Sequence, residues 1–298
     1  MRTLRTVSEL KAALAQPRRA GRRIGLVPTM GALHEGHLSL IRRARGECDE
    51  VVVSLFVNPT QFNESGDLAA YPRDEARDAV AAADEQVDYL FAPSAAEIYP
   101  DGFATTVSIA GITELLEGVH RGREHFDGVA TIVSKLFNIV APDVAYFGQK
   151  DAQQTVVIRR LVRDLNMAVQ IEVCPTVREP DGLAMSSRNA HLSPAERDRA
   201  TALYQALATA QVLTAAGETE VATILAAAEA ELEDPQVKVE YLQIVNPETL
   251  VPITSVGGPA LALVAAWVGQ TRLIDNQLLS VPTSSRPPVA AGSNTRSD

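Results

Sequence analysis

The sequence predicts an α/β protein: a Rossmann-like parallel sheet with helices on both faces, plus a smaller C-terminal α+β domain. In the first half, short apolar runs alternate with segments whose apolar residues recur at helical spacing. After residue 174 this alternation stops, and an Ala-rich helical region precedes three further apolar runs. Regular alternation of strands and helices is typical of a parallel sheet whose connections cross its two faces.

Five short apolar runs predict the strands of this sheet: residues 24–27, 51–57, 87–91, 144–147 and 169–173. Four other segments have apolar residues at helical spacing: residues 38–47, 73–85, 129–140 and 155–165. Ligands of open parallel sheets bind at the carboxyl ends of the strands. We therefore expect the functional residues in the loops that lead from strands into helices.

The second half predicts a separate, smaller domain. A polar, turn-rich stretch precedes a helical region at 194–233, and Ser193 followed by Pro194 is a favourable helix start. Strands are predicted at 237–245, 261–268 and 271–273. We divide the chain into domains of residues 1–176 and 177–281. The remainder, 282–298, is rich in Pro, Ser, Ala and Gly and is predicted to be a disordered tail.

Composition and charge exclude several classes of function. The chain has 298 residues, of which 46% are hydrophobic and 21% charged, as in folded globular proteins. Its net charge of −10 argues against broad binding to nucleic acid or anionic membranes. The longest apolar runs are too short to cross a bilayer, and residues 1–23 lack the apolar stretch of a secretory signal. We expect a cytoplasmic protein.

Several common site motifs are missing. Cys48 and Cys174 are the only cysteines and match no CxxC spacing, so neither a disulfide framework nor a cysteine zinc site is predicted. The sequence also lacks Walker A, GxGxxG, GxSxG and HExxH strings. These absences argue against P-loop ATPases, dehydrogenases, α/β-hydrolases and zinc proteases, respectively.

The first candidate site is the turn PTMGALHEGH at residues 28–37, after the first of these strands. Gly31 and Gly36 permit a ligand to approach the backbone closely. His34 and His37 stand at the start of the next helix, where free N–H groups and the helix dipole favour a phosphate. Their imidazoles can donate hydrogen bonds to charge developing at phosphorus. The alternatives are a glycine turn with two exposed histidines, or a metal site on one helix face.

The second candidate is FGQKD at residues 147–151, again at the end of a predicted strand. Gly148 allows close approach of a ligand, and Lys150 supplies a positive charge for phosphate. Asp151 and Gln154 also fit a variant capping box, with Asp151 as the N-cap residue. That structural role is the alternative for Gln154.

Two further loops are candidates. The string MSSR at 185–188 offers two hydroxyls and a guanidinium to phosphate oxygens, and Gly182 before it suits the hinge of a lid. Gln61, in NPTQF after the second of these strands, can hydrogen-bond a hydroxyl or a carboxylate. The alternatives are an ordinary surface loop and an ordinary Asn-Pro turn.

Taken together, five strings resemble the pantoate–β-alanine ligases (pantothenate synthetases), a family within the HxGH superfamily of nucleotidylyltransferases. They occur in the family's order and spacing, and the resemblance extends from about residue 7 to residue 279. The strings are PTMGALHEGH (28–37), FVNPTQF (56–62), HFDGVATIV (125–133), FGQKDAQQ (147–154) and PTVREPDGLAMSSRN (175–189).

The resemblance implies a two-step reaction. Pantoate attacks the α-phosphorus of ATP, which gives pantoyl adenylate and pyrophosphate. The amine of β-alanine then attacks the acyl adenylate and releases AMP and pantothenate. The resemblance also implies Mg²⁺ bridging the ATP phosphates largely without a protein cage, and a homodimer. No nucleic-acid or membrane partner is expected.

The resemblance assigns roles to individual residues. His37, as proton donor, and His34 and Lys150 are the catalytic candidates. Gln61 and Gln154 would bind pantoate, with Gln61 also near β-alanine. The domain of residues 1–176 would bind ATP and pantoate, and the C-terminal domain would carry the MSSR loop as a lid. The ATP site would comprise Met30, Gly31, Ala32, Leu33, His34, Glu35, Gly36, His37, Gly148, Gln149, Lys150, Asp151, Val177, Met185, Ser186, Ser187 and Arg188.

Two departures from the family pattern leave points open. The segment RGREH at 121–125 is one residue longer than usual, so either Arg121 or Arg123 takes the family's arginine position. Ala152 replaces an aromatic residue often seen there. Three other functions compete: an HxGH adenylyltransferase acting on a phosphate, a non-catalytic ATP-binding protein, and a zinc hydrolase. The zinc ligands would be His34, His37, His120 and His125.

Overall fold

The computed structural model describes residues 1–62, 68 and 71–280. The tail predicted at 282–298 lies outside the described residues. The strands are β1 (Arg2–Leu4), β2 (Ile24–Thr29), β3 (Glu50–Leu55), β4 (Tyr89–Phe91), β5 (Val144–Gly148), β6 (Gln170–Cys174), β7 (Val237–Val245), β8 (Ala260–Val268) and β9 (Thr271–Leu279). The helices are Val7–Arg19, Glu35–Glu47, Glu75–Asp84, Ala95–Ile98, Glu117–Arg121, Arg123–Val140, Ala152–Asp164, Pro194–Ala215 and Val221–Ala230.

Six strands form one parallel sheet in the order β1-β4-β3-β2-β5-β6. The chain moves outwards from β2 through β3 to β4, and it then returns to the other side of β2 as β5. Gly25 of β2 accordingly pairs with Val51 on one side and with Val144 on the other. The loops after β2 and β5 diverge at this reversal, which is where a parallel sheet offers a crevice for a ligand.

The predicted fold class is confirmed, because apolar side chains cover both faces of the parallel sheet. Leu26 of β2 belongs to the cluster formed with helices Val7–Arg19 and Arg123–Val140. The next residue, Val27, belongs to the opposite cluster, formed with helices Glu35–Glu47 and Glu75–Asp84. Successive strand residues point to opposite faces, so a strand buried on both faces is apolar throughout. This explains why β2 and β3 are recognisable as unbroken apolar runs.

The C-terminal part combines an antiparallel sheet, β7-β8-β9, with two helices. Ser193 and Glu196 form a capping box at the start of helix Pro194–Ala215, as the Ser193–Pro194 pair predicts. The single helical region predicted at 194–233 is wrong in detail, because it ends at Ala215 and restarts at Val221. Gly217 lies between them with a φ of +97°, a backbone conformation that favours glycine.

The third strand of this sheet is longer than predicted. The expected strand of 271–273 is corrected to Thr271–Leu279. Asp275 and Asn276 interrupt the apolar pattern, yet both are buried within the strand. Their polar atoms are hydrogen-bonded by residues far away in the sequence, which a local pattern does not reveal.

The remaining differences concern element ends and the N-terminal segment. Neither β1 nor helix Val7–Arg19 is predicted, and helix Glu35–Glu47 begins three residues before the predicted start at 38. An apolar cluster that includes Phe126 and Val157 joins the first sheet's helices to β7 and β8. The domain division at residue 177 stays a prediction. Within the described ranges, no helix combines the length and apolar character needed to cross a membrane.

Candidate active site

A cavity lies at the carboxyl edge of the parallel sheet, beneath the C-terminal sheet. Met30 after β2, Phe56 after β3 and Gly148 at the end of β5 line it on one side. Tyr241 of β7 and Asn276 of β9 line it on the other. Side chains from both sheets therefore meet in one cavity, at the edge where the topology predicts a ligand.

The turn after β2 is fixed by a buried carboxylate. Asp78, which is 2% exposed, accepts hydrogen bonds from the backbone N–H of Ala32 (2.8 Å) and of Leu33 (2.7 Å). A Cβ at Gly31 would lie 2.9 Å from the same carboxylate, and Gly31 has a φ of +89°. The glycine is thus required by both space and backbone conformation. The two N–H groups bound by Asp78 are not available to a phosphate.

His34 and His37 cap the helix Glu35–Glu47 reciprocally. Nδ1 of His34 accepts from the backbone N–H of Gly36 (3.1 Å), and Nδ1 of His37 accepts from that of His34 (3.4 Å). The ring centroids are 4.2 Å apart. The hypothesis of two exposed histidines is wrong, because both side chains are partly buried and line the cavity. With each Nδ1 acting as an acceptor, a neutral ring carries its hydrogen on Nε2.

Both histidines are held neutral near pH 7. Burial, reinforced by the neighbouring His34, lowers the pKa of His37 to about 3. Burial also lowers the pKa of His34, and the charge of Lys150 adds to this effect. Neutral imidazoles with a hydrogen on Nε2 are hydrogen-bond donors rather than strong acids. The pair is therefore suited to bind negative charge without first taking up a proton.

Lys150 stands on the 3-10 turn Gln149–Asp151 that follows β5. Its Nζ lies 3.4 Å from Oδ1 of Asp151. Burial alone would raise the pKa of the Asp151 carboxyl, but the charge of Lys150, with a smaller contribution from Arg188, outweighs it and leaves the pKa lowered. The cavity thus contains an ionised pair, and the charges of both partners act on the two histidines.

The capping-box hypothesis for Asp151 and Gln154 is wrong. Asp151 is the N-cap residue of helix Ala152–Asp164, but its side chain makes no capping hydrogen bond. Gln154 is partly buried and lines the cavity instead. Its amide is therefore not committed to the helix end.

Gln61 is oriented by a buried hydrogen-bond network. Asn58, which is 1% exposed, donates from Nδ2 to Oε1 of Gln61 (3.1 Å) and to the carbonyl oxygen of Gly128 (3.1 Å). Nε2 of Gln61 lies 3.0 Å from the Met30 sulfur, and Nδ1 of His125 lies 2.8 Å from the Gln61 carbonyl oxygen. A thioether is a weak acceptor, so the Gln61 amide keeps its capacity to donate to a ligand.

The MSSR string follows a hairpin-like turn beside β6. The backbone N–H of Met185 donates to the carbonyl of Val177 (3.0 Å), and both residues line the cavity. Ser186 caps the next turn by accepting from the N–H of Arg188 (3.2 Å). The Tyr71 hydroxyl hydrogen-bonds Ser187. The string is therefore held in place by contacts on both of its sides.

Most of the predicted site residues line this one cavity: Met30, His34, Gly36, His37, Gln61, Gly148, Lys150, Asp151, Gln154, Val177, Met185, Ser186, Ser187 and Arg188. Five others do not: Gly31, Ala32, Leu33, Glu35 and Gln149. Leu33 packs in the apolar core, Glu35 pairs with Arg42, and Gln149 bonds Asn276. The ligand contacts assigned to each residue stay predictions.

The structure also adds residues to the predicted site: the sequence left Arg121 as one of two alternatives, gave His125 only as a competing zinc ligand and did not indicate Asn276. Arg121 lines the cavity, whereas Arg123 donates to Ser108 (2.7 Å) at the surface. Of the two arginines, Arg121 is the one whose side chain lines the cavity. His125 and Asn276 line the cavity as well. The one-residue insertion before His125 hides this arginine from pattern matching, and Asn276 has no local signal.

Acid should destabilise the fold partly through His125. Burial, reinforced by Arg121, lowers its pKa to about 4, against about 6.5 in an unfolded chain. Between these values the unfolded chain binds more protons, so stability falls as the pH drops from about 6.5 to about 4. The contribution is at most about 3 kcal/mol.

The test compares urea unfolding at pH 7.5 and pH 5 for the wild type and His125→Asn. Asparagine retains a donor for the Gln61 carbonyl but does not titrate. The variant should lose less stability between the two pH values than the wild type. Equal losses would show that His125 does not contribute to acid sensitivity.

The chain is similar to known proteins over nearly its whole length. A family model for pantoate-beta-alanine ligase matches residues 2–278. The pantothenate synthetase of Koribacter versatilis is 50% identical over 289 residues, which cover 97% of this chain and 99% of that protein.

Solved structures agree with this match. The pantothenate synthetase from Thermus thermophilus is 49% identical with a TM-score of 0.89, covering 93% of this chain and 99% of that chain. The pantoate-beta-alanine ligase from Francisella tularensis, complexed with beta-gamma ATP and beta-alanine, is 35% identical with a TM-score of 0.78, covering 93% and 97%. Since sequence and fold agree over nearly the full length of these proteins, the chain belongs to the pantoate–β-alanine ligase family.

Proposed function

We propose that this protein condenses pantoate with β-alanine at the expense of ATP, through a pantoyl adenylate, and releases AMP and pyrophosphate. One observation carries the proposal. Two neutral histidines, Lys150 and two glutamines line one cavity at the point beside β2 where the strand order of the sheet reverses. The Francisella tularensis relative, complexed with beta-gamma ATP and beta-alanine, supports the choice of ATP and the amine.

Adenylate formation requires alignment and charge stabilisation rather than a protein nucleophile. Three cationic side chains, those of Arg121, Lys150 and Arg188, line the cavity of a chain whose net charge is −10. Cations so concentrated can hold a triphosphate despite the acidic surface. Nε2–H groups of His34 and His37 would add hydrogen bonds to the charge that develops as pyrophosphate leaves.

The glutamines fit the acid substrate. An amide donates to a carboxylate or a hydroxyl without bringing a charge of its own. Gln61, held by Asn58 and Met30, would present such a donor to pantoate from the β3 side, and Gln154 from the β5 side. A phosphate substrate, as in the competing adenylyltransferases, would instead favour cations at these two positions.

Removing either amide should impair the use of pantoate far more than the binding of ATP. Gln61→Ala and Gln154→Ala should each raise the KM for pantoate about 10- to 100-fold, the worth of a hydrogen bond to a charged group. Steady-state kinetics with varied pantoate would measure this, with circular dichroism to verify folding. Gln211→Ala is the control, because that amide bonds Ser280. An unchanged KM for pantoate in both variants would contradict the assignment.

Magnesium fits this cavity as part of the nucleotide rather than as a resident ion. The carboxylates of Asp151, Glu117 and Asp275 line the cavity. Each already lies in an ion pair, with Lys150, Arg272 and Arg178 respectively. Among the described residues, no group of three or more His, Cys, Asp or Glu is arranged to hold a metal. The donors do not form a dedicated cage, so we propose that Mg²⁺ is held by the phosphates of ATP.

Excess chelator should therefore stop adenylate formation. Pyrophosphate carries more negative charge than the two histidines and the cavity cations offset, so its release should fall by at least roughly tenfold. Coupled detection of pyrophosphate with and without EDTA would measure the loss, and added Mg²⁺ should restore the rate. Full turnover in excess EDTA would contradict a requirement for the ion.

The function itself is tested by product analysis. The protein, incubated with ATP, Mg²⁺, pantoate and β-alanine, should yield pantothenate, AMP and pyrophosphate by mass spectrometry. Omission of β-alanine should leave pyrophosphate release limited to about one equivalent per site. Phosphopantetheine, offered in place of pantoate, tests the competing adenylyltransferase; a product there and none with pantoate would overturn the proposal.

We also propose a homodimer, which the family resemblance implies. The prediction concerns the mass of the protein in solution and is independent of the reaction. Light scattering coupled to size-exclusion chromatography should give about twice the 31.9 kDa of the chain. A monomeric mass at micromolar concentration would contradict it.

A further inference from the structure

Strand β9 contains two adjacent polar residues that are almost completely buried. Asp275 is 4% exposed and Asn276 is 3% exposed, and both line the cavity. Burying polar side chains at adjacent strand positions is unfavourable unless each finds hydrogen-bond partners. Their partners lie in the two loops that carry Lys150 and the MSSR string.

The side chain of Asn276 makes its hydrogen bonds to the 3-10 turn Gln149–Asp151, the Lys150 turn. Its Nδ2 donates to the carbonyl oxygens of Gln149 and Lys150, both at 2.9 Å. Its Oδ1 accepts from Nε2 of Gln149 at 3.0 Å. Both amide hydrogens and one acceptor site are thus used on the three-residue turn Gln149–Asp151. Neither Gly148, which precedes the turn, nor Asp151, its last residue, provides a side-chain capping bond.

Asn276 is itself held in place by an ion pair. Asp275 accepts from Nη1 and Nη2 of Arg178, at 2.6 and 3.1 Å, and from the backbone N–H of Asn276 at 2.7 Å. Arg178 also donates to the carbonyl of Gly182 (3.1 Å) and to that of Asn276 (3.3 Å). The guanidinium therefore ties β9 to the turn that precedes the MSSR string.

We propose that Asn276 is a positioning residue for adenylate formation: from the C-terminal sheet it fixes the backbone of Lys150 and so sets where the ammonium group stands. The inference rests on the proposed function. Lys150 has a flexible four-carbon side chain, so its ammonium can be placed reproducibly only if its backbone is fixed. The contacts that fix it come from a strand 126 residues later in the chain.

Asn276→Ala removes three hydrogen bonds and leaves two partly buried carbonyl oxygens without these donors. The turn should then shift, and misplacement of a charge by about 1 Å can cost about 100-fold in rate. We expect single-turnover pyrophosphate release to fall about 10- to 100-fold, with the KM for pantoate changed less than about threefold.

A double-mutant cycle separates positioning from general damage. If Asn276 acts through Lys150, then Asn276→Ala should cost less than about twofold in a Lys150→Ala background. Gln149→Ala removes one of the three bonds without altering β9 and should give a smaller loss, about threefold. Gln277→Ala is the matched control on the same strand, since its amide bonds only the carbonyl of Leu278 among the described residues.

The outcomes are distinct. A wild type that forms no pantothenate refutes the proposed function. With an active wild type, full activity of folded Asn276→Ala overturns the positioning role. An equal fold-loss in the Lys150→Ala background also overturns it, because the two residues would then act independently. If Asn276→Ala does not fold, the test uses Gln149→Ala instead. This variant should slow pyrophosphate release when Lys150 is present and should have almost no effect in the Lys150→Ala background. Any other result overturns the positioning role.

Discussion

Replacing His37 by alanine should slow pantoate-dependent pyrophosphate release about 10²–10³-fold, the usual cost of losing one hydrogen-bond donor to transition-state charge. His37 lines the cavity, and its pKa of about 3 keeps the ring neutral near pH 7. A neutral donor stabilises charge that appears as pyrophosphate departs. Rapid-quench measurements without β-alanine isolate that step.

The second chemical step provides the internal control for His37. Attack by β-alanine occurs at the acyl carbon, away from the phosphate charge that His37 would stabilise. Given preformed pantoyl adenylate, His37→Ala should therefore form pantothenate with a much smaller deficit. His191→Ala, which removes an exposed histidine, should leave both steps unchanged. Equal deficits of His37→Ala in the two steps would mean that the ring acts by holding the helix start through its bond to His34.

Replacing Lys150 by alanine should also slow adenylate formation about 10²–10³-fold, because a charge facing the leaving phosphates is lost. Stability should change little. The Lys150 side chain is 18% exposed, but that of Asp151 is 47% exposed, so water still reaches the pair and limits its contribution to stability. The expected signature is thus a large loss of activity with a nearly unchanged urea midpoint.

Removing Lys150 also removes the main influence that lowers the pKa of Asp151. The Asp151 carboxyl should then titrate at higher pH in the Lys150→Ala variant. Adding Asp151→Asn to that variant should remove this titration. Lys238→Ala, on an exposed position of β7, is the control for loss of one positive charge. A Lys150→Ala variant within about threefold of wild type in pyrophosphate release would refute the phosphate role.

Local patterns predicted the parallel sheet because its strands are short apolar runs covered on both faces. The same reasoning failed at β9, where Asp275 and Asn276 look like the end of a strand. Their burial depends on Arg178 and on the Lys150 turn, which lie 97 and 126 residues away. Periodicity reports what the side chains prefer, whereas such partners are specified only by the folded chain.

In the candidate site, too, some features follow from local sequence and others depend on the folded chain. Strings such as HEGH and GQKD contain side chains that can contact phosphate. The sequence was therefore sufficient to identify His34, His37 and Lys150 as candidates at the ends of strands. It could not choose between Arg121 and Arg123, because a one-residue insertion shifts the pattern while the helix geometry decides which side chain enters the cavity.

Sequence patterns were sufficient for the fold class, the family resemblance and the loops that carry the polar groups. The protonation and the hydrogen-bond partners of those groups became clear only in the folded chain. Burial makes the histidines neutral, reciprocal capping leaves hydrogen on Nε2, and Asn276 anchors the Lys150 turn. A short string cannot specify these properties, because pKa values and hydrogen-bond partners depend on desolvation and on contacts across the fold.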